Sequence, residues 1–362
     1  MSDLLSTAAK RLSQTTAMLT GKTQDPKSIP WNPDSTFFPP RSAIISQPGE
    51  PDGACWVWGK DDSCGRLNLL TPQRVLAASK LIQTGESAPL DLPSNIPAQP
   101  SFGRPTFKHE LSPIAEGRAY DDVYIMNTQS GTQWDGFRHV AHQPTTTFYN
   151  NTKHTDFSGP NFHSDKCSVH KWREHGMTGR GILLDYRRYA TSKGIRYDTA
   201  TPFAISYDEL VACGKWQNLD IRPASAGGDI QPGDLLFIRS GWVQDYYGRS
   251  DAENARLALR EHADLTWAGV KQEPAMIDWL HDCYFAAVGG DAPSFEKWPT
   301  SESYMLHEYL LAMWGVPIGE MVDLERVSEL CAKHNRYAFF VTSAPFRTVG
   351  GVASWLNATA IF

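Results

Sequence analysis

Within the stretch Gln129 to His142 the chain gathers a carboxylate (Asp135), two amides (Gln129, Gln133) and two imidazoles (His139, His142) around the small-residue turn Ser130-Gly131-Thr132. In an extended segment alternate residues share a face, so Gln129, Gln133 and Asp135 line up together. A carboxylate with amide carbonyl oxygens is a hard, oxygen-donor set that suits Mn²⁺, Mg²⁺ or Zn²⁺. An imidazole titrates near neutral pH and can take and return a proton, which is the work His139 could do beside that set. On spacing alone the alternative is a polar loop whose Asp and Gln side chains cap turns. Far downstream, His307 opens a helical stretch ending at Gly315, and Glu320 follows the turn Val316-Pro317-Ile318-Gly319. That pair bears on the chemistry only if the fold brings it to Asp135.

Positioning such residues requires a scaffold, and the sequence outlines one. Residues 1–50 lack periodicity and contain Ile29-Pro30-Trp31-Asn32-Pro33 and Phe37-Phe38-Pro39-Pro40, which predicts an extended arm. Residues 51–362 read as one α/β body with a continuous core. Buried strands are expected at Ile182–Leu184, Leu235–Ile238, Phe285–Val288 and Ala338–Val341. Helices are expected after Thr71-Pro72, closing at Gly85, and at Tyr207–Cys213, Ala255–Ala263, Pro274–Asp282, Tyr304–Trp314 and Asp323–Lys333.

Composition narrows the function. The 362 residues are 41% hydrophobic and 20% charged, which excludes a disordered chain. No run approaches the roughly 20 apolar residues of a membrane helix. Met1 to Gln14 is rich in Ser, Thr and Lys without an apolar core segment, so no secretory signal is expected. A net charge of −6 without a basic stripe argues against nucleic acid as a partner. Six scattered cysteines form no CxxC pair, which predicts free thiols in a reducing cytoplasm. The sequence holds neither a GxGxxG nor a Walker-type phosphate loop, and no GxSxG elbow for a serine hydrolase.

At Gln129-Ser130-Gly131-Thr132-Gln133-Trp134-Asp135-Gly136-Phe137-Arg138-His139 the chain resembles the metal-dependent cyclase family, which includes bacterial kynurenine formamidase, isatin hydrolase and trans-dienelactone hydrolase. That family carries a His-x-Gly-Thr-His-x-Asp-x-Pro-x-His motif. Further agreement lies in Gly65-Arg66-Leu67-Asn68-Leu69-Leu70-Thr71-Pro72, Gly179–Asp185, Gly233–Trp242 and Gly289–Glu296. The resemblance implies a cyclase-like swivelling β/β/α fold, with a mixed central sheet flanked by helices. It matches Asp135 to a metal-ligand aspartate, His139 to the catalytic histidine, and His307 and Glu320 to later ligands. Here Gln129 and Gln133 replace two ligand histidines, and Phe137 replaces the proline. An amide coordinates only through its neutral oxygen, so at most one divalent ion (Mn, Zn or Mg) is expected, or a site that has lost it.

The resemblance thus implies a metal-assisted hydrolase or ring-opening enzyme acting on an amide or lactone of a small cyclic or aromatic metabolite. Asp135 and His139 would carry the catalysis, and Gln133, Asp135, His307, Glu320 and Gln129 the metal. Trp134, Phe137, Trp58 and His142 would wall a planar substrate, although each aromatic taken alone fits core packing. Ser240, at the end of the Leu235–Arg239 strand, could line the cleft or merely turn the chain. Asp291 and Glu296 could orient His307 or a ligand, against helix capping by Asp291 or Ser294, which is favoured. A second reading is metal-free acid–base cyclisation, dehydration or isomerisation of a specialised metabolite. A third is a non-catalytic binder, which needs no such set of ionisable groups. The arm's Trp31, Phe37 and Phe38 need cover, so a homodimer or homotetramer is expected, with the arm near an interface.

Overall fold

The computed structural model describes residues 28–362; the Ser/Thr/Lys-rich start and the first part of the expected arm, residues 1–27, lie outside the described residues. In chain order the strands are β1 (Ser87–Pro89), β2 (Lys108–Ala115), β3 (Ala119–Ile125), β4 (Gln133–Asp135) and β5 (Met177–Leu184). They continue with β6 (Ala204–Ile205), β7 (Leu235–Ile238), β8 (Gly269–Val270), β9 (Ala287–Gly290) and β10 (Ile318–Glu320). The last are β11 (Ala338–Ser343), β12 (Ala353–Trp355) and β13 (Ala358–Ile361).

A nine-stranded mixed sheet runs β1-β13-β11-β5-β7-β9-β10-β4-β12, flanked by helices. Its centre is parallel, with β5, β7, β9 and β10 side by side, while β4 joins β10 antiparallel. The run Leu235-Leu236-Phe237-Ile238 is apolar throughout because both faces of β7 are covered. Outside this sheet, β2 and β3 form a hairpin, every residue of β2 exposed, and β6 pairs with β8.

Local signals explain the helices and their shifts. Thr71 Oγ1 accepts from Arg74 N at 3.4 Å and starts the helix Pro72–Ser79, which stops short of Gly85. Pro274–Asp282 is helical over that span. The helix expected at Ala255–Ala263 begins at Asp251 because Ser250 Oγ accepts from Glu253 N at 3.3 Å, a cap that apolar spacing does not reveal. The stretch expected at Tyr304–Trp314 is a π-helix, Glu308–Met313.

The described part of the arm docks on its own chain. Trp31 and Phe38 are buried, Phe38 stacks on Tyr284 at 4.7 Å, and Trp31 N donates to Val57 O at 2.9 Å. Phe37 is half-buried. The cover expected from a second subunit is therefore supplied by the chain's own core. Among the described residues no helix is long and apolar enough to cross a membrane. All six cysteines are free.

Candidate active site

The period of two in β4 sends Gln133 and Asp135 to one face, and β10 places Glu320 directly opposite Gln133. The three side chains meet, fully buried, at the carboxyl end of β10. Gln133 Nε2 lies 3.1 Å from Asp135 Oδ1 and 2.9 Å from Glu320 Oε2. The other face of the same strands is core. Trp134 points there, its Nε1–H donating to Ser343 Oγ at 3.0 Å. Its ring covers Gly319, where a Cβ would lie 3.0 Å from ring carbon.

His139 arrives on the turn that follows β4, with His139 N donating to Gly136 O at 2.9 Å. Gly136 is required there because a Cβ would sit 2.1 Å from Val352 O. Arg138 pins the turn by donating to the carbonyls of Ser164 (2.6 Å), Lys166 (2.8 Å) and Gly350 (2.9 Å). His307 arrives just ahead of the π-helix and is fixed by Glu296. Leu306 N and His307 N donate to that carboxylate at 2.7 and 2.9 Å, and His307 Nδ1 donates to Glu296 Oε1 at 2.7 Å. Gln272 Nε2 occupies the other oxygen at 2.7 Å.

These contacts give the two imidazoles opposite proton positions. Asp135 Oδ1 can only accept, so Gln129 turns its amide nitrogen toward it at 2.6 Å; the same nitrogen stands 3.0 Å from His139 Nδ1. Nδ1 of His139 is thus an acceptor, and the neutral ring carries its proton on Nε2, 3.9 Å from Asp135 Oδ2. Burial lowers the His139 pKa. In His307 Nδ1 donates to Glu296, which leaves Nε2 facing Glu320 Oε1 at 3.3 Å and Asp135 Oδ2 at 3.9 Å. Burial opposes a charged ring at His307, but the hydrogen bonds to Glu296 and Glu320 outweigh it and hold the pKa well above the ordinary histidine value.

The donor set fits a divalent cation. Asp135, His139 and His307 offer ligand atoms that all lie within 4.8 Å of one another. Ligands about 2.1 Å from an ion sit roughly 3–4 Å apart, and His307 Nε2 stands 3.9 Å from Asp135 Oδ2 and 3.3 Å from Glu320 Oε1. A histidine backed by a carboxylate on its other nitrogen is the usual metal-binding arrangement, and His307 with Glu296 has it. His139 is the weaker ligand because its other nitrogen faces the Gln129 amide and not a carboxylate. Gln129 and Gln133 present their amide nitrogens to the carboxylates in this arrangement. Gln133 Oε1 is left buried without a partner. A cation between Asp135 and Glu320 would let that amide turn and use its oxygen.

The site opens into a cleft of about 380 Å³. Its walls are Phe102, Val140, Pro293, Trp298 and Met305, with Arg104 and Ser294 as further polar residues beside His139, His307 and Glu320. Most of the aromatics expected from the sequence lie elsewhere. Trp134 and Phe137 are core, Phe137 packing on Tyr149 (4.8 Å) and Trp172 (4.9 Å). Trp58 packs against Trp31 and Phe38. His142 bonds Thr145 Oγ1 at 2.8 Å in the following loop and does not line the cleft. Ser240 is turned to Asp291, which accepts from its hydroxyl and from three successive backbone N–H groups at the start of the helix Trp242–Gly248. Asp291 is therefore the cap, and Glu296 the residue that orients His307. Phe102 and Arg104 come from one loop, Trp298 and Met305 from another, and none carries a motif.

A second cleft of about 350 Å³ lies at the amino end of the parallel strands, beside Leu70, Arg74, Arg180 and Asp234. It holds no histidine, and its Arg180 and Asp234 neutralise each other at 2.6 Å. Ligands of open α/β sheets sit at the carboxyl ends of strands, which makes the first cleft the candidate site.

The sequence profile of the Cyclase family matches residues 28–297. A solved structure described as a novel cyclase is 27% identical, with a TM-score of 0.73 over 85% of this chain and 99% of that one. Isatin hydrolase A from Ralstonia solanacearum is 17% identical, with a TM-score of 0.52 over 80% of this chain and 97% of its own. An isatin hydrolase bound to the product analogue thioisatinate is 15% identical, with a TM-score of 0.52 over 80% of this chain and 98% of its own. No curated protein matches the sequence.

Proposed function

The chain belongs to the Cyclase family, and from that premise we propose that it is a metal-assisted hydrolase opening an amide or lactone of a small cyclic or aryl metabolite. The observation that carries this reading is the grouping of ligand atoms of Asp135, His139 and His307 within 4.8 Å of one another, with Glu320 Oε1 3.3 Å from His307 Nε2. One divalent ion, Mn, Zn or Mg, would be held by His307, Asp135 and Glu320, and it would supply Lewis acidity toward a carbonyl and toward water. His139 holds a proton on Nε2 and would pass it to the leaving nitrogen or oxygen. The apolar walls exclude water around the scissile group and hold a planar ring. Two solved structures sharing the fold are called isatin hydrolases; at 15% and 17% identity they support the fold and make ring hydrolysis a reading to test.

A specific observation favours a second reading. The Gln129 and Gln133 amide nitrogens already satisfy Asp135 and Glu320, an arrangement that suits a metal-free acid–base enzyme. Elemental analysis of protein purified without added metal, followed by assays on aryl amides and lactones before and after exhaustive chelation, separates the two. One equivalent of metal with chelation-sensitive hydrolysis supports the first; activity indifferent to chelation supports the second.

The proposal includes a cytoplasmic setting, in keeping with six free thiols, and a homodimer or homotetramer. Assembly is supported by the β2–β3 hairpin, which exposes Leu111, Ile114, Tyr120, Val123, Tyr124 and Ile125. An isolated hairpin is marginal in water, and a patch of this kind asks for cover.

A further inference from the structure

Arg104 stands in the cleft wall with most of its donors unused. A guanidinium offers five N–H groups, and here Nη1 donates to Gln129 O at 2.5 Å while the plane sits 5.3 Å over the Phe102 ring. Among the described residues no carboxylate pairs with it, and it makes no other hydrogen bond. Arg180 pairs with Asp234, Arg187 with Asp245, and Arg239 with Asp185 and Glu325, while Arg74 and Arg138, without a carboxylate, each donate to three backbone carbonyls. The carboxylates of the cleft are already engaged, Asp135 by Gln129 and Gln133, and Glu320 by Gln133, His307 and Phe295 N. Ser294, buried at 3% exposure in the same wall, has a hydroxyl without a partner. A half-buried cation with open donors facing a cleft is offset when a ligand brings the anion.

Resting on the reading of this cleft as the substrate site, we propose that Arg104 anchors a carboxylate of the substrate, which is a planar cyclic or aryl amide or ester bearing that carboxylate on its ring. Phe102 and Trp298, edge to face at 5.5 Å, with Met305 and Val140, suit a flat apolar ring. Arg104 is the one permanent cation among the lining residues, which matches a monoanion rather than a phosphate. Gln129 sets the spacing: its carbonyl oxygen holds Arg104, and its side-chain amide holds Asp135 and His139. The anion and the scissile group are therefore one glutamine apart, the span of a single ring.

The test reads binding and turnover separately on the purified full chain. Benzoate and benzamide are titrated by calorimetry against wild type, R104Q and R104K. Benzoate is expected to bind wild type about tenfold more tightly or better, R104Q to abolish that preference, and R104K to keep part of it. For turnover, the kcat/KM ratio of 3-acetoxybenzoate to phenyl acetate is expected to fall about tenfold in R104Q, chiefly through KM. Equal binding of benzoate and benzamide, or an R104Q protein with an unchanged preference, overturns the proposal, since the carboxylate is then read elsewhere. Preference for benzoate that depends on Arg104, with neither ester hydrolysed, supports the anion site and counts against the hydrolase reading.

Discussion

Glu296 Oε1 lies 2.7 Å from His307 Nδ1 and accepts its hydrogen bond, leaving Nε2 as the atom that faces Asp135 and Glu320. His139, its ring centre 6.1 Å away, is set the opposite way, with Nδ1 accepting from Gln129. In the proposed reaction the first histidine serves as a ligand and the second as a proton carrier. Carboxylates behind metal-binding histidines are worth about 10–100-fold in metal affinity or activity. Glu296→Gln should weaken Zn²⁺ or Mn²⁺ binding by about that factor in the folded protein, measured by competition with a chelating dye. Unchanged affinity would show that His307 needs no such orientation.

Gly136 lies where the chain leaves β4 for the turn that bears His139. A methyl group there meets Val352 O at 2.1 Å, a contact with backbone that cannot be relieved by a rotamer change. Gly136→Ala should cost stability on the scale of core overpacking, about 1–3 kcal/mol or more, and lower activity further by displacing His139. A denaturation midpoint equal to wild type would contradict this placement of the turn.

His281 is fully buried between Arg66, Trp314 and Tyr284, and burial, with the nearby Arg66 charge, lowers its pKa to about 4. The folded state therefore resists a proton that the unfolded chain accepts near pH 6.5. Its contribution is fully present above pH 6.5, falls as the pH drops toward about 4, and amounts at most to about 3 kcal/mol. His281→Gln should flatten the pH dependence of the unfolding free energy between pH 7 and pH 4.5, whatever its effect at pH 7. Parallel curves for the two proteins would remove His281 from the acid response.

Sedimentation or light scattering should return the mass of two or four chains at micromolar concentration. Replacing Leu111 and Tyr124 on the exposed hairpin by Glu should shift that mass downward with the far-ultraviolet circular dichroism unchanged. A monomeric wild type sinks the assembly proposal.

What was legible in the sequence follows from periodicity. The central strand Leu235–Ile238 and the helix Pro274–Asp282 stand out because their apolar patterns and their flanking turn or Pro signals agree. The same period of two that joins Gln133 to Asp135 sends Trp134 to the opposite face, so its place in the core was implicit in the motif. Glu320 reaches Gln133 across a sequence separation of 187, through the pairing of β10 with β4, and no local pattern encodes that. The cleft walls were illegible for the same reason, because Phe102, Trp298 and Met305 acquire a common surface only when their loops meet.

The division of labour between the two histidines is tested most directly by metal content and turnover measured together in His139→Ala and His307→Ala. His139→Ala should retain the wild-type complement of one divalent ion and lose about 10²–10⁴-fold in kcat, as removal of a general acid–base group does. His307→Ala should lose the ion and the activity together. A His139→Ala protein stripped of metal as completely as His307→Ala, or one that turns over at the wild-type rate, would contradict that division.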